Sequence, residues 1–374
     1  MGKQVKTPRF YVDIPTFLHA TGQLGWDGNN GGAELLYMNC ANPYTKQVDT
    51  TGTEEVAQIG HGTNNTAKTS FPVNFCALLN HNYGSNTNKL RLFGKSPTTS
   101  TFNTSQNILN SDYVGTRIKP QYNGTSIFTF SDKDGINDTW QSFSIYYATD
   151  NPITTDDLGI QQLGSLVVGK YFDCPRTPDL NLTMSRRFDG IKKQKTIGGK
   201  QLANIYYDGP TEWTMNRRTN DFGGDSTYKY PPFELDTTAT VDSQGFRFDY
   251  RSRSGLGRKG LRSWDLTFSY IAESDMWIDS EVSNLVINDD IDDAPYGGGS
   301  PTGGYGGNPM LSDNSFNFVY NCTLGGALPF IFTDDKDSNA PDRYAICTFR
   351  ENTFKVTQVA FNTYNVSMTI DEIA

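Results

Sequence analysis

Histidine is scarce in this chain. Only three occur among 374 residues, His19, His61 and His81, far apart and each in a different local context. Cysteine is scarce as well: Cys40, Cys76, Cys174, Cys322 and Cys347 are odd in number, widely scattered and form no CxxC pair. That pattern supports neither structural zinc nor a secreted disulfide framework, and buried thiols are the expected state. No GxSxG elbow, HExxH helix, P-loop or GxGxxG motif after a strand is present. The chain is therefore expected not to be an enzyme, and neither a cofactor nor a metal is expected.

Long apolar runs are also missing. No stretch approaches the roughly 20 residues of a membrane-spanning helix, and the opening MGKQVKTPRFYVDIP lacks the apolar core of a signal peptide. A soluble chain without a membrane span is expected. Several Asn-X-Thr sequons, such as those at Asn123 and Asn181, carry no weight without a secretion signal. Positive charge is in the minority, with a net charge of −9 and a pI near 4.9, so nucleic acid and anionic lipid are not expected partners. One local exception, RRFDGIKKQK at 186–195, reads as a solvated strand and turn, with an anion site as the alternative.

What the chain does have is glycine, 36 residues of it, 13% aromatics and abundant Asn and Thr. That composition favours turns and strands over helices. Strand signals occur at Phe75–Leu79, Leu90–Phe93, Ile127–Phe130, Phe143–Tyr147 and Leu166–Tyr171, where apolar and polar residues alternate. In the second half, Leu180, Leu182 and Met184 share one face, as do Phe246, Phe248 and Tyr250. Trp264, Leu266, Phe268 and Tyr270 form a third such set, and Val366, Met368 and Ile370 a fourth. Most of the 48 aromatics are expected in cores, with sugar-stacking platforms as the sharper alternative.

The expected fold is all-β, built from two sandwich or jelly-roll-like domains, 1–172 and 173–374, with long Gly- and Asp-rich loops. The boundary is placed at 172–178, where Pro175 and Pro178 interrupt the strand signals. The segment 287–309, rich in glycine and aspartate, reads as a mobile loop. After it, NSFNFVYN suits a short helix or a strand equally.

Two acidic runs invite comparison with metal loops. SDKDGIND at 131–138 carries Asp132, Asp134 and Asp138 around Gly135, but without an EF-hand's terminal glutamate it reads as a hairpin turn. The second run, TDDKDSNAPDRY, clusters Asp334, Asp335, Asp337 and Asp342 beside Arg343 and reads as an exposed loop suited to charged contacts with a neighbouring subunit. Calcium there is a minor alternative.

VNFCALLNHNYGSNTNKLRLFG at 73–94 resembles the opening of galactose-binding-like jelly rolls found in phage tail proteins. The C-terminal run 325–374 is similar to the end of tailed-phage distal tail or minor tail proteins in its order of strand, acidic loop and three strands. GSLVVGKYFDCPRTPDLNLTM at 164–184 resembles virion proteins of marine phages. Together these stretches cover a minority of the chain. The resemblance implies a non-enzymatic β-built subunit of the virion, made in the bacterial cytoplasm, that forms a homo-oligomeric ring at the tail tip or baseplate beside other tail proteins. A jelly roll placed first departs from the usual order and leaves its position in the tail open. Asn80, His81 and Asn82 then read as a structural loop of the sandwich, with a host-glycan contact as the alternative function.

Overall fold

The structure is a computed structural model that describes residues 5–22, 35–38, 44–47, 54–59, 71–81, 89–95, 122–129, 139–140, 142–148, 160–187, 191–205, 217–218, 260–278, 281, 309–312, 314–337 and 343–373. The described part is mostly β-strand, 50%, with few helices, and every strand pair in it is antiparallel. The all-β expectation holds at that level.

One sheet of 11 strands dominates. In chain order its strands are β1 (Arg9–Asp13), β2 (Phe75–His81), β3 (Tyr122–Thr129), β4 (Ser165–Asp173), β5 (Thr183–Arg187), β6 (Arg217–Arg218), β7 (Leu261–Ala272), β8 (Phe330–Thr333), β9 (Tyr344–Phe349), β10 (Lys355–Ala360) and β11 (Thr363–Glu372). Across the sheet they run β5, β7, β11, β9, β8, β1, β4, β2, β3, β6, and β10 adds to β11. Smaller sheets flank this one, including a three-stranded unit of Glu54–Ile59, Ser142–Ala148 and Lys89–Lys95.

The short strand β1 joins the two halves of the chain. Arg9 lies opposite Asp173 on one side and opposite Thr333 on the other. Residues on either side of 173 therefore share one sheet, and the expected boundary at 172–178 separates stretches of sequence rather than separate sheets. The segment itself does interrupt the strands, as its prolines require: Cys174 donates its N–H to Pro8 O, and Asp179 donates to Thr267 O.

Alternation gives the sheet two dry faces. Phe10, Val12, Phe172, Phe330, Phe332, Trp264, Phe268, Val366 and Ile370 pack on one face with the helices. Tyr11, Phe75, Ala77, Val167, Ile331, Tyr344 and Ile346 form a second cluster from the alternate positions. Tyr11 packs edge-on against Phe75 at 5.1 Å between ring centroids, and Trp264 against Phe332 at 5.1 Å.

Two short helices close the first face. Asp13 ends β1 and caps the helix Ile14–Ala20, its carboxylate accepting from the Thr16 hydroxyl at 2.6 Å and the Thr16 N–H at 3.4 Å. Ser315 caps Phe316–Cys322 in the same way by accepting from Phe318 N–H at 3.2 Å. NSFNFVYN thus forms a helix. Its cap residue and its three buried apolar side chains, Phe316, Phe318 and Val319, decide what periodicity could not. Gly169 sits where this layer meets β1: a Cβ there would lie 2.1 Å from Val12 O, so only glycine lets the backbones come that close.

The face assigned to Leu180, Leu182 and Met184 fails in part. Leu180 is fully exposed, Met184 is exposed, and only Leu182 packs against the core. Phe246, Phe248 and Tyr250 lie outside the described residues, as do SDKDGIND and residues 287–308 of the glycine-rich segment.

Candidate functional site in the charged and exposed ends of the sheet

Asp334 and Asp335, which open the acidic run after β8, are buried where an exposed loop was expected. Backbone pairing continues past Thr333, with Lys6 donating its N–H to Asp334 O and Lys336 donating to Thr7 O, both at 2.9 Å. This draws Asp334 and Asp335 under the N-terminal segment, where they are 3% and 2% exposed. Arg343 Nη1 lies 2.9 Å from Asp334 Oδ1 and 3.5 Å from Asp335 Oδ2, and Lys6 Nζ reaches Asp335 Oδ2 at 3.1 Å. Burial pushes the Asp334 carboxyl above its ordinary value, with Arg343 opposing the shift. Asp335 also accepts the Asp337 N–H at 3.2 Å, which turns the chain and leaves Asp337 exposed. Asp342 lies outside the described residues.

Two further ion pairs bind distant stretches together. Arg9 forks onto both carboxylate oxygens of Asp173 and lies over the Tyr171 ring, 3.9 Å from its centroid. Arg262 grips Glu372 in a bidentate pair, with both contacts at 2.8 Å, and donates a third bond to Tyr344 O at 2.6 Å. All of these groups point at one another. Their arrangement staples strands rather than presenting a charge to a ligand.

His81 also differs from expectation. It ends β2 instead of opening a loop, lies opposite Gly124 of β3 and is 3% exposed. Burial lowers its pKa to about 3, so the imidazole is neutral at neutral pH. Asn80 belongs to the same strand, and Asn82 lies outside the described residues. Cys76, Cys174, Cys322 and Cys347 are buried free thiols, as expected, and burial pushes each above its ordinary value and away from the reactive thiolate. Cys40 is outside the described residues.

Exposed apolar groups gather at the far end of β7 and β11. The register shifts between Phe268 and Ile271, and Tyr270 adopts φ 58° with its N–H donating to Asn365 Oδ1 at 3.0 Å. This irregularity turns Tyr270 out of the row formed by Trp264, Leu266 and Phe268, leaving it 67% exposed. Across β11 from it, β10 is exposed along most of its length, and the exposed Val359 near its end is followed by the tip residue Phe361, which is 89% exposed. Glu273 donates its N–H to Asn362 O at 3.2 Å, which sets an acidic side chain next to that tip. Alternation alone carried no signal for the outward turn of Tyr270.

Among the described residues no three His, Cys, Asp or Glu side chains gather as metal ligands, and no helix is long and apolar enough to cross a membrane. No family model, curated protein or solved structure matches this chain.

Proposed function

We propose that this chain is a structural subunit of a tailed-phage virion that associates with copies of itself, as a ring at the distal tail or baseplate, and with other tail proteins. The virion assignment rests on the sequence resemblance. The observation that carries the assembly reading is β10 at the side of the large sheet: it shows most of its length to solvent, carries the exposed Val359 and runs into the exposed tip residue Phe361, with Tyr270 exposed on the strand across β11. A strand edge beside exposed rings is a template for another chain, and soluble monomers rarely leave such edges unguarded. The strand at one end of the sheet order, β5, is exposed at all five residues. Two exposed strands that each pair on one side among the described residues suit head-to-tail repetition. The two dry faces support a layered, jelly-roll-like architecture for the subunit.

Sedimentation of the purified chain over a concentration series, with electron micrographs of the product and of the virion, tests this reading. Concentration-dependent association into closed rings is the expected result. A chain that stays monomeric while it binds a glycan array tightly or turns over a hydrolase substrate overturns it.

A further inference from the structure

The segment after β5 forms a two-stranded sheet of its own, Ile191–Lys195 paired with Gln201–Ile205. Its turn is closed by Thr196 N–H to Lys200 O at 2.8 Å and Gly199 N–H to Thr196 O at 2.9 Å, with Gly199 at φ +81°. Residues 193–202 are all exposed, including Ile197 and Leu202. An isolated hairpin is at best marginally stable in water, so this one, whose two exposed apolar side chains no described residue covers, needs further packing.

Its charge indicates what supplies that packing. The hairpin carries Lys192, Lys193, Lys195 and Lys200 and no acidic residue, so its +4 leaves −13 on the rest of a chain whose net charge is −9. The exposed sheet end combines the complementary features: apolar Tyr270, Val359 and Phe361 beside acidic Glu273. We infer that the hairpin Ile191–Ile205 is an arm that docks on the Tyr270, Phe361 and Glu273 end of the sheet in a second copy of this chain.

The contact joins copies head to tail. The arm follows Arg187, which pairs with Leu261 at the start of β7, whereas Tyr270 stands nine residues further along that strand, roughly 30 Å away at about 3.3 Å per residue. The strand that leads into the arm thus leaves β7 at the end opposite the receiving surface, the arrangement that generates rings when the rotation closes. A polyanion is the poorer occupant. The −13 of the remaining chain repels it, and it would leave Ile197 and Leu202 uncovered.

This inference rests on the assembly reading and is tested separately from it by sedimentation of the full chain at low and high salt. The variants are the fourfold reversal Lys192→Glu, Lys193→Glu, Lys195→Glu and Lys200→Glu, and, independently, Phe361→Ser. Each should weaken self-association at least about tenfold, and the reversal should also flatten its salt dependence, with thermal melting unchanged because the altered residues lie outside the core. If the wild type associates and the reversal associates equally well with the same salt dependence, the arm is not the contact and the assembly reading stands. If only Phe361→Ser is without effect, the receiving surface is wrong. A monomeric wild type overturns both readings, and one that binds heparin through its lysines without self-association assigns the arm to a polyanion.

Discussion

Strand β1 and the hairpin strand Ile191–Lys195 are each five residues long, and each sits near a turn, yet their surroundings are opposite. RFYVD is buried at four of its five positions, while residues 193–195 of IKKQK are exposed. Apolar content explains part of the contrast. The rest comes from distance along the chain. The neighbours of β1 arrive from residues 169–173 and 331–333, so both of its edges and both faces are covered, whereas among the described residues the hairpin strand pairs with the residues that follow it and no others. Local pairing builds a strand, but only long-range pairing buries one.

The largest effect expected from this contrast lies beside β1. Replacing both Asp334 and Asp335 with Lys puts cations against Lys6 and Arg343 in a buried site, and breaking such a pair costs about 3–5 kcal/mol. A large fall in denaturant midpoint, or loss of soluble protein, is expected. Exposed Asp337→Lys should stay within about 0.5 kcal/mol of wild type. Equal midpoints for the two would remove the distinction between the buried cluster and the exposed end.

Next comes pH. Burial raises the pKa of Asp13 from the ordinary 3.8 to about 7, against the pull of Thr16. Below pH 3.8 both folded and unfolded states hold the proton. As pH rises towards about 7 the unfolded chain releases it while the folded chain keeps it, so stability falls across that window by an amount on the order of 4 kcal/mol. His81 acts in the opposite sense: with its pKa lowered from 6.5 to about 3, its contribution is present above pH 6.5 and declines as pH falls through the interval. Asp13→Asn keeps a capping acceptor and removes one titration. The difference between wild-type and variant melting curves should therefore slope from about pH 4 to 7 and be flat above it.

Smaller still is Gly169→Ala, whose Cβ would press on Val12 O, a backbone atom, and should cost about 1–3 kcal/mol by denaturant titration. Gly198→Ala at the tip of the arm meets nothing within 4 Å and should be neutral or slightly stabilising. The smallest effects belong to Ile197→Ser and Phe361→Ser. Both side chains are exposed, so each change should move unfolding by under about 0.5 kcal/mol in differential scanning calorimetry.

Much of the strand content was legible in the sequence. Trp264, Leu266 and Phe268, and Val366, Met368 and Ile370, alternate with polar residues and do face one core, because a period of two is a property of the strand itself. The strand Tyr344–Phe349 was expected from the order of elements in the resemblance and not from alternation, since it is buried at five of its six positions. The strand behind the proposed assembly surface, Lys355–Ala360, belongs to the three strands in the order of elements that carried the resemblance, but its exposure was not legible. Tertiary structure decided the rest. Tyr270 leaves its row because the register against β11 shifts, and Leu180 is exposed because it sits in a turn beside β7, closed by Leu182 N–H to Asp179 O. Asp334 and Asp335 look like solvent-facing charges in a local reading. They are buried because Lys6 and Arg343 converge on them, and a charge can leave water when opposite charges and hydrogen-bond donors replace its solvation. The sequence by itself determined which residues alternate; which faces were covered, and by what, depended on partners up to hundreds of positions away in the chain, and that information is present only in the folded arrangement.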